Sequence, residues 1–291
     1  MSADTRTWHH FTVDVEEYFQ VSALERYVPR ASWEQTPSRL ALGTRALLEL
    51  LAERNARGTF FTLGWVAKHH PLIIREIVAG GHEIASHGWG HERITTLSPE
   101  QFRASVRDSK AALEDIAGAA VIGYRAPSFS IVRGREWALD ILVEEGYRYD
   151  SSLYPVRRPG YGFAGGARFP HELKTASGGL EEFPPATIQS GPAVLPAGGG
   201  AYLRLFPYAL VRAGLRAAEQ TGAPATFYIH PWELDPDQPR VEVPLRTRIR
   251  HYGGLRRTVP LLRRLLAEFQ FKPIVETMGR RAIDKFASTS V

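Results

Sequence analysis

The sequence predicts an α/β protein built on a parallel sheet. Three observations carry that reading. Short β-branched or apolar runs alternate with amphipathic helical stretches through most of the 291 residues, the pattern of strands joined by helical crossovers. Glycines fall where helices should stop. Polar, chemistry-bearing residues cluster at or just past the ends of the predicted strands, where sites gather in such folds, whether the sheet closes into a barrel or stays open and doubly wound.

The first strand is Phe11–Glu16, and it places Asp14 and Glu16 two apart on one face. Neighbouring carboxylates repel unless a cation lies near. The alternative is that the strand has ended, leaving Glu16 and Glu17 as solvated loop residues. A helix follows over 40–57 and ends at Gly58, then a buried strand over Thr59–Gly64, a helix over His69–Ala79 and a third strand over His82–Ser86. Ser98-Pro99-Glu100-Gln101 is a strong helix start, with a Ser cap, Pro at the first position and Gln at the third. That helix runs to about Ile116. Val121–Arg125 is a fourth strand, Arg135–Glu145 a helix and Tyr147–Asp150 a short strand. The Gly- and Pro-rich stretch over 156–200 holds only short strands; irregular segments of that length are usually functional or mobile. Phe206–Thr221 is helical, Ala225–His230 a buried strand, Gly254–Phe269 an arginine-studded helix and Phe271–Val275 a last strand.

Composition narrows the function. A hydrophobic fraction of 44% suits a sizeable core. The 6 Trp, 11 Tyr and 14 Phe fit core packing first and a sugar-binding cleft second. There is no cysteine, which excludes disulfides and thiolate metal sites. The N-terminus lacks the pattern of a signal peptide and no apolar run reaches membrane-spanning length, so a cytoplasmic protein without a membrane span is expected. No nucleic-acid partner is expected. The net charge of +5 is spread over a long chain; the densest basic stretch is Arg246, Arg248, Arg250, Arg256, Arg257, Arg263 and Arg264. A solvated helix face is the simplest reading of this run; an acidic polymer or a membrane surface is the sharper one.

The chemistry centres on Ser86-His87-Gly88-Trp89-Gly90-His91. On one turn of helix, residues four apart share a face, so both imidazoles can reach one ion. A hydrolytic metal site usually takes three protein ligands and keeps a position open. Glu16, His87 and His91 make such a set, with Glu17 as the fallback carboxylate. Asp14 is placed to act as base, held ionised by a bidentate pair with Arg125. His230 is the natural proton donor, and the backbone N–H of Ser128 can stabilise an oxyanion. His82 reads as a strand residue, and His9, His10, His69 and His70 as surface residues.

These residues resemble the polysaccharide deacetylases with the NodB homology domain, carbohydrate esterase family four, from Phe11 to about Trp232. Ser86–His91 is similar to the family's second motif, Thr12–Glu16 stands where the first lies, Arg125-Ala126-Pro127 resembles the third, Asp150–Tyr154 the fourth, and Ile229-His230 the fifth. The resemblance implies a distorted (β/α) barrel, a divalent ion such as zinc, Asp14 as base and His230 as acid. It also implies substrate contacts from Ser128, Trp89, Asp150, Tyr154 and Trp232. Two adjacent aspartates are usual in the first motif; here Val15 follows Asp14, which resembles a subgroup found with bacterial exopolysaccharide clusters. The third motif ends in Phe129 instead of glycine. The expected organisation is a NodB-like domain over 1–232, an extension over 233–280 packed on it as in that subgroup, and a flexible tail over 281–291. The expected activity is N-deacetylation of an N-acetylated amino sugar in a bacterial glycan. Rival readings are a cyclic-amide hydrolase of the allantoinase type, a non-haem iron oxygenase and a non-catalytic glycan-binding protein.

Overall fold

A computed structural model of the chain describes residues 7–158 and 160–279; the expected tail over 281–291 lies outside the described residues. In chain order the elements are β1 (Trp8–Val15), α1 (Leu40–Ala52), β2 (Thr59–Thr62), α2 (Gly64–His69), α3 (Pro71–Ala79), β3 (Glu83–Ser86), α4 (Pro99–Ala117), β4 (Gly123–Tyr124), α5 (Trp137–Glu144) and β5 (Tyr149–Asp150). Then come β6 (His171–Thr175), β7 (Gly178–Glu182), β8 (Thr187–Ser190), β9 (Ala193–Pro196), α6 (Gly200–Leu205), α7 (Tyr208–Glu219), β10 (Thr226–Ile229), α8 (Leu245–Tyr252), α9 (Thr258–Glu268) and β11 (Gln270–Lys272). The predicted helix over 69–79 is α3, which begins at Pro71; the helix before it, α2, was not anticipated. α6 and α8 were not anticipated.

The main sheet runs β10-β1-β2-β3-β4-β5-β7-β6, parallel except for the β6–β7 hairpin. Its ladders do not close into the expected barrel. Past Glu182 the chain meets β10 through two isolated parallel bridges, Pro185 to Thr226 and Gly199 to Tyr228. Pro185 has no N–H to donate, so a ladder cannot extend there. β11 pairs with the first residues of β1, beside the edge that β10 occupies further along. None of the described helices is long and apolar enough to cross a membrane.

Local signals explain the frame around the site. Ser98 and Gln101 cap α4 reciprocally, through Gln101 N to Ser98 Oγ at 3.3 Å and Ser98 N to Gln101 Oε1 at 2.9 Å. Gly118 closes the helix at φ +65°. Helix α1 packs directly on the turn after β10. A Cβ on Gly43 would stand 2.0 Å from the carbonyl oxygen of Pro231, so only glycine lets the helix approach.

β1 is paired along both edges and covered on both faces. His9 and His10, expected at the surface, therefore have no exposed area. His10 is held between Thr226 Oγ1 (3.0 Å) and Thr277 Oγ1 (2.6 Å). Burial pushes the imidazole of His10 down to about 3 and that of His9 to about 4.

Two outcomes follow for stability. Gly43→Ala should cost about 1–3 kcal/mol through forced displacement of the turn, read as a lower denaturation midpoint in urea. The buried histidines stay neutral in the fold but gain protons in the unfolded chain below its pKa of 6.5. Their contribution is fully present above pH 6.5 and is lost as pH falls towards 4, by about 1.4 kcal/mol per unit for each. Urea titrations at pH 7.5 and 5.0 should show that loss, and His10→Gln should flatten the slope.

Candidate active site

Each main strand delivers a polar residue to the same end of the sheet. β1 ends on Asp14 and Val15 and hands over to Glu16; β3 hands over to His87; β4 to Arg125; β10 to His230. Glu16, His87 and His91 offer one ligand atom each within 4.8 Å of one another, and all three are buried. The two imidazoles do not share a helical turn, as their spacing suggested. Residues 87–93 are irregular, turned by Gly88 at φ +76° and by His91 at φ +60°, a left-handed conformation rare for a side-chain-bearing residue. The loop is pinned by Gly64 N to Gly88 O (2.9 Å) and Trp65 N to Trp89 O (2.8 Å).

The three residues suit a cation. His87 Nδ1 lies 2.7 Å from the Arg125 carbonyl oxygen, which fixes its proton there and leaves Nε2 bare. His91 Nε2 is 2.8 Å from Glu16 Oε2, yet that oxygen has no hydrogen-bond partner. A buried carboxylate oxygen left this way is costly unless a positive charge meets it. Burial alone would raise the Glu16 pKa; the His91, His230 and His87 imidazoles reverse this and hold it at about 2. Burial lowers His87 to about 4, so it is the neutral, ligating form near neutral pH. Glu17 is committed elsewhere, accepting from the Ser38 hydroxyl and from Arg39 N at 3.0 Å. Both glutamates are buried, so neither is the solvated loop residue of the plainer reading.

Asp14 and His230 flank this group. Arg125 has no exposed surface; its Nη1 donates to Asp14 Oδ1 (2.6 Å) and Thr12 Oγ1 (2.8 Å), and its Nη2 to Ser151 Oγ (2.8 Å). The pair with Asp14 is therefore single, not the bidentate one expected, and Oδ2 is left to the cavity. His230 Nε2 lies 3.8 Å from Asp14 Oδ2 and 3.7 Å from Glu16 Oε1. Burial opposes a charge on His230, but the Glu233 hydrogen bond and the carboxylates of Glu16, Glu233 and Asp14 prevail and lift it to about 9.

Sequence reasoning missed the support behind His230. Glu233 Oε1 holds its Nδ1 at 2.9 Å, and Arg204 Nε donates to Glu233 Oε2 at 2.8 Å, both partners of that ion pair being buried. A carboxylate three residues after His230 was a readable signal; Arg204, from an unanticipated helix, had none. His251 was also missed. It stacks on Trp232 at 4.3 Å, and Trp232 stacks on His230 at 5.1 Å.

Asp14, Glu16, His87, His91, Arg204 and His230 line one cavity of about 140 Å³. Ser128 and Trp232 line it, joined by Phe129, Tyr228 and His251. Ser128 and Phe129 are consecutive left-handed residues, at φ +56° and +52°. Trp89, Asp150 and Tyr154 are not among its walls. Trp89 packs over Gly64, whose added Cβ would meet its ring at 2.4 Å. Asp150 is buried beside Glu182 and bound by Ser152 Oγ at 2.6 Å. Tyr154 packs behind Phe129 and Tyr228, with ring centroids 5.1 and 6.2 Å away.

Fold and site together define a class: a parallel-sheet α/β protein with a two-histidine, one-carboxylate centre at the carboxyl ends of its strands. Comparison narrows it. Residues 33–148 match the family model "Polysaccharide deacetylase", and residues 151–279 match "Domain of unknown function (DUF3473)". Residues 33–148 are thus similar to a domain of the polysaccharide deacetylase family. A peptidoglycan deacetylase of Helicobacter pylori is 29% identical over 114 residues, 38% of this chain and 37% of that protein. A chitooligosaccharide deacetylase of Azorhizobium caulinodans is 33% identical over 85 residues, 29% of this chain and 40% of that protein. The matched segments span less than half the length of these curated relatives. Among solved structures, a putative polysaccharide deacetylase from Mycobacterium smegmatis shares the fold, with TM-score 0.64, 22% identity and coverage of 99% and 97% of the two chains. A probable polysaccharide deacetylase from Pseudomonas aeruginosa PAO1 does so at TM-score 0.60 and 17% identity, over 92% of this chain and 88% of the other.

Substituting His87 by Ala should lower the metal bound after loading and dialysis, measured by elemental analysis, while circular dichroism stays that of the parent. Unchanged metal content would remove His87 from the ligand set.

Proposed function

We propose that this protein is a metal-dependent hydrolase that removes N-acetyl groups from amino sugars of a bacterial glycan or its precursor. One observation carries the reading: Glu16, His87 and His91 converge within 4.8 Å, with Asp14 and His230 on the wall of the same cavity. The ligand set of one carboxylate and two imidazoles suits zinc or a similar divalent ion. Held by Glu16, His87 and His91, such an ion supplies Lewis acidity, polarising the amide carbonyl and acidifying water.

The chain's own residues do the rest. Asp14 accepts the proton of the attacking water through Oδ2, since Oδ1 is taken by Arg125. Arg125 aims Asp14 by holding its Oδ1. The N–H of Ser128 is the oxyanion donor. His230 gives its Nε2 proton to the nitrogen as the C–N bond breaks, and Glu233 fixes its tautomer through Nδ1. Acetate and a free amino sugar leave. In this reading residues 233–279 form an extension of the deacetylase unit that supplies part of the cavity wall.

Metal-loaded protein incubated with defined N-acetylglucosamine oligomers should yield deacetylated products by mass spectrometry. Asp14→Asn should cut acetate release by about 10²–10⁴-fold while bound metal is retained. Wild-type rates in that variant would reject Asp14 as base. A chelator should abolish activity and added zinc restore it.

A further inference from the structure

The cavity mouth carries positive charge that the chemistry above does not use. Two arginines line the cavity. Arg204 is fully engaged: besides Glu233 it donates to the Gly253 and Arg250 carbonyl oxygens. Arg250 differs. It is exposed, and among the described residues no carboxylate lies within ion-pair distance of its guanidinium. Arg246, one turn back on α8, stands on the same helix face, is also exposed and likewise has no carboxylate partner. By contrast the neighbouring Arg256 pairs with Asp237 at 3.7 Å, and Arg240 lies over the Tyr252 ring at 4.4 Å. Beside Arg250 the cavity wall includes Trp232 and His251, which stack on each other at 4.3 Å.

We infer that the glycan processed here is acidic, and that Arg250, with Arg246 behind it, binds an anionic group on a unit next to the N-acetylated sugar. This rests on the deacetylase reading for which sugar enters the cavity, and it adds the chemical class of the substrate. Unpaired guanidiniums leading out of a cavity raise the local concentration of anions and can grip a carboxylate or phosphate through two parallel N–H bonds. A neutral chitin-like oligomer has no group to meet them. α8 also exposes Leu245 and Ile249, at 60% and 54%. These make a membrane surface the competing partner. The glycan is favoured because Arg250 is itself a wall of the catalytic cavity.

The test is equilibrium binding to metal-loaded Asp14→Asn protein, in which turnover is blocked. The probes are N-acetylchitotetraose, a tetrasaccharide alternating N-acetylglucosamine with glucuronate, and uridine diphosphate N-acetylglucosamine. At least one anionic probe should bind about tenfold more tightly than the neutral tetramer at low salt, with the gap narrowing as salt rises. Which of the two it is distinguishes a sugar carboxylate from a diphosphate. Arg246→Gln with Arg250→Gln should erase the gap, and Arg250→Lys should keep most of it. Equal binding of all three probes, or a gap that survives the double glutamine variant, overturns the inference. So does a result in which only anionic phosphatidylglycerol vesicles are bound, with loss in Leu245→Ser/Ile249→Ser. Absence of acetate release from every glycan by the unsubstituted protein would sink the deacetylase reading alone, since these affinities do not depend on turnover.

Discussion

A guanidinium with no exposed surface ties the ends of the strands together. Arg125 cannot lose its charge, and burying it uncompensated would cost several kcal/mol. The chain meets it with Asp14 and Thr12 from β1 and with the Ser151 hydroxyl and carbonyl just past β5. Because those partners belong to separate strands, satisfying one side chain sets the spacing of the whole carboxyl end of the sheet. The geometry of Asp14 then follows. One oxygen is spent on Arg125 and the other turns to the cavity. The carbonyl of Arg125 in turn orients His87, so one residue disciplines both a candidate base and a candidate ligand.

The far wall is held by a second buried ion pair of the same kind. Arg204, Glu233 and His230 form a line from α6 to the end of β10. Small residues make it possible. Gly200 leaves room for the Glu233 carboxylate, which an added Cβ would approach to 2.3 Å, and Gly43 leaves room for the carbonyl of Pro231. The two ion pairs therefore stand on opposite sides of one cavity, each with its charge matched and its hydrogen bonds directed. Among the carboxylates lining the cavity Glu16 stands apart, buried with one oxygen lacking a hydrogen bond, where two imidazoles converge.

Much of this was legible in the sequence. Alternation along β1 put Asp14 and Glu16 on one side, and the strand ends named His87, Arg125 and His230. The His87–His91 pair was found through the wrong geometry. Its convergence comes from a loop in which Gly88 and His91 take positive φ, and four-residue spacing does not reveal that. His9 and His10 looked like surface residues because their partners, Thr226, Thr277 and Glu219, lie more than 200 positions away. Arg204, 29 positions from Glu233, and His251 were hidden because no local pattern ties them to His230. Trp89 was expected to contact substrate, as the resemblance implied, but the backbone bonds that pin the loop turn its ring onto Gly64. Local pattern reported which residues carry chemistry; it did not report which way a loop turns them.

The arrangement of strands around β1 has an evolutionary consequence. The two segments matched by separate family models meet inside a single sheet: β2 to β4, from the first, lie on one side of β1, and β10 and β11, from the second, occupy its opposite edge. Neither segment is a cassette. Shuffling the second one onto a different first half would have to preserve the hydrogen-bond register along Trp8–Val13, residue for residue, or leave an open β edge and a cavity with half its walls. Lineages carrying this architecture are thus expected to inherit the pair as one block.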